Sequence, residues 1–172
     1  MRNEGWKRRW LDRLGVPADG LAWGVWDRGF PELLSGPFPL VRDAWPRIAD
    51  RVPVRILMVG GVDTAAVEEL CGWPGLRRVA RLLLYSGFAA PAERLIGERG
   101  LHALAGCRDL AGLVALEAGL LTATDAAVAA LLDSPHLAGL ESLRLSRHAE
   151  AGPLSPPVVA RLVARFGSNY RP

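Results

Sequence analysis

Three stretches of the chain align without a gap over sixteen positions: Gly72–Gly87, Gly106–Leu121 and Asp133–His148. Each puts an apolar residue in the same four columns: Leu76, Val79, Leu82, Leu84; then Leu110, Leu113, Leu116, Ala118; then Leu137, Leu140, Leu143, Leu145. The spacing is three, three, then two. Steps of two belong to a strand with one buried face. A unit this small cannot bury its apolar side alone, so recurrence at 25 to 35 residues predicts stacked strand–loop–helix units that share one core. A surface built this way accommodates many functions, so the pattern constrains shape far more than ligand.

The frame extends beyond the aligned blocks. Val54–Val59 fits the strand half of an earlier unit, with Leu57 and Val59 in the inward columns. Leu57, Leu82, Leu116 and Leu143 are then spaced by 25, 34 and 27 residues. Between them, Val67, Leu70 and Cys71 match Leu101, Leu104 and Ala105, then Val128, Leu131 and Leu132, then Val159, Leu162 and Val163. The i, i+3, i+4 spacing is one face of a helix. Thr124, Asp63 with Thr64, and Ser155 before Pro156 are N-cap candidates. The long interval holds an insertion, Ser86–Glu98, expected as a loop or an extra half-turn on one rim. Strands are predicted near 55–59, 80–84, 114–118 and 141–145, parallel and adjacent.

Residues 1–52 stand outside the frame and are expected to cap the first unit, which would otherwise expose an apolar end. Trp23–Phe30 suggests a short hairpin. Asp43 is expected to cap a helix from Ala44 to about Arg51, with Pro46 in its first turn. Trp6, Trp10, Leu11 and Leu14 share one face of an N-terminal helix whose Lys7, Arg8, Arg9 and Arg13 lie mostly off it. That helix suits a cap with snorkelling arginines, the preferred reading. It also suits a partner-docking helix, or weak contact with a membrane surface through Trp6–Leu14. The repeat region spans 53–167 in about four units, and 168–172 is expected to fray.

Half the residues are apolar, so a real core is expected. No apolar run approaches the roughly 20 residues of a membrane span. The charged, Trp-rich start lacks the apolar segment of a secretory leader. Two cysteines do not make a disulfide framework. Together these predict a cytoplasmic protein. Net charge is only +3. The pI of 9.4 reflects arginines that never titrate, Lys7 being the sole lysine, so nucleic acid is a disfavoured partner.

Catalytic and cofactor signatures are missing. His102, His136 and His148 have no metal-ligand spacing. Cys71 sits in an apolar helix column and is expected as core filler. Cys107 shares a column with Trp73 and Ser134 and has no histidine beside it in sequence. Gly60-Gly61 follows a strand without the rest of a phosphate loop. No metal, cofactor or catalytic residue is expected.

Trp26-Asp27-Arg28-Gly29-Phe30, Pro53-Val54-Arg55-Ile56-Leu57 and Ser134-Pro135-His136-Leu137-Ala138-Gly139-Leu140 give the chain its resemblance to a known group over about residues 23–166. It resembles bacterial leucine-rich repeat proteins that carry a repeat-companion domain, with repeats of the ribonuclease-inhibitor type. The resemblance implies an α/β fold: a short right-handed solenoid with a parallel sheet on its concave face, helices on its convex face and an N-terminal cap. Two departures stand out. Residues 1–20 are too short to hold the companion domain. The repeat asparagine is replaced by Val62, Gly87, Leu121 and His148, so Val62 and Leu121 are expected to pack inward. The resemblance implies binding or scaffolding and transfers no catalytic residue.

Strand alternation sends Ile56, Met58, Gly60; Arg81, Leu83, Tyr85; Ala115, Glu117, Gly119; and Ser142, Arg144, Ser146 to the concave face. Apolar, aromatic and arginine side chains together are the composition of binding hot spots. The expected function is therefore a non-enzymatic interaction module that binds a protein partner through Met58, Arg81, Leu83, Tyr85, Glu117 and Arg144. Glu117 is expected to orient Arg81 or repel an acidic partner. The N-terminal cap is an alternative cover for Ile56 and Met58. The alternatives in function are a vestigial paralogue without a ligand and an enzyme of unknown type.

Overall fold

The computed structural model describes residues 5–16, 19–27, 30–87, 95–122, 124–148 and 151–171. It is an α/β protein whose helices lie between the strands of a mostly parallel sheet. In chain order the elements are α1 (Gly5–Leu14), β1 (Ala22–Asp27), β2 (Phe30–Pro37), α2 (Phe38–Ile48) and β3 (Ile56–Gly60). They continue as α3 (Thr64–Leu70), β4 (Arg81–Tyr85), α4 (Glu98–Gly106), β5 (Ala115–Leu121), α5 (Asp125–Asp133), β6 (Ser142–Arg147), α6 (Pro156–Phe166) and β7 (Tyr170–Arg171). Among the described residues the strands lie side by side in sequence order. Only β1–β2 is antiparallel.

The aligned columns are in register. Leu57, Leu82, Leu116 and Leu143 are successive partners, as are Val59, Leu84, Ala118 and Leu145. All eight are buried to 1 % exposure or less. The earlier half of each frame forms 3-10 turns at Leu76–Arg78, Arg108–Leu110 and Pro135–Leu137. Each turn closes in the same way, with the amides of Val79, Leu113 and Leu140 bonding the carbonyls of Leu76, Leu110 and Leu137. Equivalent carbonyls then join unit to unit. Arg55 O accepts from Ala80 and Arg81, Ala80 O from Val114 and Ala115, and Val114 O from Glu141 and Ser142. A carbonyl near each helix end is likewise met by a side chain from the next unit. Arg78 donates to Ala49 O, Cys107 Sγ to Cys71 O, Ser134 Oγ to Ala105 O, and Arg165 to Leu132 O. These bonds satisfy carbonyls that a helix end leaves open.

Several sequence expectations need correction. Residues 1–52 do join the sheet: β2 pairs in parallel with β3, setting Leu34 beside Leu57. Ser35, Gly36 and Pro37 hide this strand from an apolar pattern, yet Leu34 is fully buried. Helix α2 starts at Phe38, with a proline in its first turn, and not at Ala44; Pro46 lies inside it, on the exposed side. The expected hairpin forms, although residues 28–29 at its tip lie outside the described residues. The tail does not simply fray, because Tyr170 and Arg171 pair with Leu143 and Arg144 and cover the last full strand. In α6 the buried residues are Val158, Leu162 and Phe166, whereas Val163 is half exposed.

Among the cap candidates, Asp63 accepts from the Ala66 amide at 2.8 Å and Thr124 from Ala127 at 3.3 Å. Ser155 does not cap α6; its amide donates to Asp125, and Ser155 holds the Asp125 carboxyl below its usual range. Val62 packs fully inward, as expected of a residue in the asparagine column. Nearby, Ser86 Oγ donates to Val62 O at 2.7 Å. The insertion at 88–94 lies outside the described residues.

Helix α1 packs on this core through the half-buried Trp10 and Leu14; Leu11 is buried, and Arg9 and Arg13 are exposed. Trp10 meets Trp23 edge-on at 5.8 Å. Behind it, Trp73 stacks against both Phe38 and Trp45, and Trp45 Nε1 donates to Pro74 O at 2.7 Å. This aromatic cluster joins the N-terminal segment to the first helical unit. Among the described residues no helix is long and apolar enough to cross a membrane.

Candidate functional site

Helices cover one face of the sheet, and its other face is where alternation sends the candidate residues. Met58, Leu83, Glu117 and Arg144 form one continuous row across β3 to β6; Arg81, Ala115 and Ser142 form the row below; Tyr85, Gly119 and Ser146 form the row above. Met58, Leu83, Tyr85 and Glu117 are half-buried, whereas Arg81 and Arg144 are exposed. On β2, Leu33 and Ser35 sit opposite Ile56 and Met58. What borders these two residues is another strand of the same sheet, which lengthens the rows.

A groove of about 350 Å³ opens on this face, lined by Arg81, Leu83, Glu117, Ser142, Arg144 and Asn169 among others. It gathers four of the six candidates. Met58 and Tyr85 lie next to it along and above the rows. Asn169 was not legible as a site residue. It reaches the groove because the 3-10 turn Gly167–Asn169 folds back, its side-chain amide donating to Glu141 O and its carbonyl accepting from Ser142 Oγ, both at 3.4 Å.

Glu117 does not orient Arg81. The β5–β6 register sets it directly opposite Arg144, and the two pair at 3.2 Å. The Tyr85 phenol is pushed up to about 12, first by burial, then by the bond to Glu117 and its negative charge, with Arg144 pulling the other way. The Tyr85 ring lies across Gly119, where a Cβ would come within 3.2 Å of it. A glycine on β5 thus makes room for the aromatic ring on β4. Glu117 and Arg144 are paired beside Tyr85, while Arg81 has no ion-pair partner among the described residues.

The residues weighed for chemistry fall elsewhere. His102 is exposed on α4 and lies 3.7 Å from Glu98. Neither it, His136 nor His148 belongs to any metal-binding group of three or more His, Cys, Asp or Glu among the described residues. Cys107 is buried, as are its column mates Trp73 and Ser134. Cys71 is only half-buried, and not wholly core filler. The structure sets the Cys107 thiol against the Cys71 carbonyl across 36 residues of sequence.

No protein-family model matches the chain, and no curated protein matches its sequence.

Proposed function

We propose that the chain is a short right-handed leucine-rich repeat solenoid of the bacterial group named above, acting as a non-enzymatic protein-interaction module in the cytoplasm. Its docking face is the concave side of the sheet, centred on Arg81, Leu83 and Tyr85. The observation that carries this reading is the groove beside Arg81. There a guanidinium with no ion-pair partner among the described residues stands next to apolar Leu83 and Met58 on backbone held by hydrogen bonds to both neighbouring strands. Side chains fixed in this way lose little freedom on docking. Arg81 offers a planar fork for a partner carboxylate, and Tyr85 a rigid amphipathic anchor. The surface thus suits a peptide segment that sets one carboxylate beside an apolar side chain.

The test is the triple variant Arg81→Ala, Leu83→Ser, Tyr85→Ser, compared with wild type in pull-downs from native lysate. The variant is expected to keep its thermal transition within a few degrees and to lose the captured partner. Retention of that partner at unchanged affinity would move the site elsewhere, with α1 as the next surface to examine.

A further inference from the structure

On the helical side of the molecule, Cys71 and Cys107 occupy the ends of two consecutive helices, α3 and α4. Cys107 Sγ donates to the Cys71 carbonyl at 3.5 Å, which sets the two residues side by side. Both line a cleft of about 630 Å³ together with Glu68, Gly72, Gly106, Arg108 and Asp109. Cys71 is half-buried and Cys107 buried, so the cleft exposes the first sulfur more than the second.

The neighbouring unit shows that structure alone does not call for sulfur here. At the position of Cys107 it has Ser134, whose hydroxyl bonds the equivalent carbonyl of Ala105. At the position of Cys71 the later units have Ala105 and Leu132. Only this junction puts sulfur at both positions.

We propose that Cys71 and Cys107 form a redox-active dithiol site that reacts with small peroxides to give an intramolecular disulfide. Cys107 is the attacking sulfur. The hydrogen bond from Cys71, and then the Asp109 and Leu110 amides beside it, bring its thiol down to about 7, against the opposing effects of burial and of the Asp109 charge. The Cys71 thiol is driven the other way, by the same bond and by burial, and so keeps its proton. A thiolate is the competent nucleophile. In the first step the Cys107 thiolate attacks a peroxide oxygen: an S–O bond forms, the O–O bond breaks and hydroxide or alkoxide leaves. Sulfur loses two electrons to the peroxide and becomes a sulfenic acid. In the second step the Cys71 sulfur attacks that sulfenic sulfur: the S–S bond forms, the S–O bond breaks, and the Cys71 proton leaves with the hydroxide as water. The product removes the Cys107–carbonyl hydrogen bond and ties α3 to α4 covalently.

The test treats the full chain with hydrogen peroxide near neutral pH. Wild type is expected to go from two titratable thiols to none after denaturation, with a mass lower by two hydrogens and no covalent dimer. Two variants borrow the residues of neighbouring units and so should fold: Cys71→Ala and Cys107→Ser. In Cys71→Ala, dimedone should capture a sulfenic acid on the Cys107 peptide. In Cys107→Ser, oxidation of Cys71 should slow by about tenfold or more, because the reactive thiolate is gone. The proposal is overturned if wild type keeps both thiols while free cysteine consumes the peroxide, if only intermolecular disulfides form, or if Cys71 is oxidised as fast in Cys107→Ser as Cys107 is in Cys71→Ala.

Discussion

Leu116→Ala should be among the most damaging substitutions in this chain, and the structure says by how much. Leu116 is 1 % exposed and stands between Leu82 and Leu143, its partners on the two adjoining strands. Truncation removes three carbons, about 2.4 kcal/mol of transfer free energy at about 0.8 kcal/mol each. The strand is hydrogen-bonded on both sides, so the space cannot close by moving backbone. A residual cavity at ~24 cal/mol per Å³ then adds about 1–2 kcal/mol. The total is about 3.5–4.5 kcal/mol. With a urea slope of about 1–3 kcal/mol per molar, the unfolding midpoint should fall by more than about 1 M. The control is the next residue. Glu117 points to the opposite face, and loss of its part-exposed pairing with Arg144 should cost at most about 1 kcal/mol. Equal midpoints for Leu116→Ala and Glu117→Ala would refute the inward–outward assignment of the whole sheet.

The remaining expectations follow from single contacts. In a Tyr170→Phe background, the Tyr85 phenol should ionise near pH 12 by ultraviolet titration. Because its folded value is raised, the neutral phenol contributes stability below about pH 10 that is lost as pH climbs through about 12. Glu117→Gln should lower that midpoint without restoring the ordinary value of 10.0, since burial is the larger cause; full restoration would show the reverse. Ser134→Ala should cost about 1 kcal/mol in thermal or urea unfolding, because the part-buried carbonyl of Ala105 loses its donor. Ser134→Cys should recover part of that, as Cys107 already fills the role one unit earlier; no recovery would mean that the thiol does not bridge the units.

What the sequence made legible was what repeats within it. Leu82, Leu116 and Leu143 could be read as neighbours because a two-residue alternation at the end of a fixed frame leaves only one way to bury them. What it hid was decided by contacts between units. β2 carries Leu34 inward but is otherwise written in Ser35, Gly36 and Pro37, so its place in the sheet depends on β3 being there to pair with it. β7 is a two-residue strand that exists only because β6 offers an open edge. Asn169 enters the groove through that same return of the tail. The Cys71–Cys107 pair was also hidden, because the two residues occupy different columns of the frame and meet only when one helix end stacks on the next. Glu117 was assigned to the right face but the wrong partner: the choice between Arg81 and Arg144 depends on strand register, and Arg144 is directly opposite.

The central claim is that partners dock on the open face of the sheet beside Arg81. A photoreactive amino acid placed singly at Leu83, at exposed Val163 on α6, and at Arg9 on α1 samples the three surfaces in one experiment. After irradiation in native lysate, the account predicts a discrete covalent adduct from position 83 that is lost when Arg81→Ala is added, and none from positions 163 or 9. An adduct from the helical side or from α1, with position 83 unreactive, would contradict it.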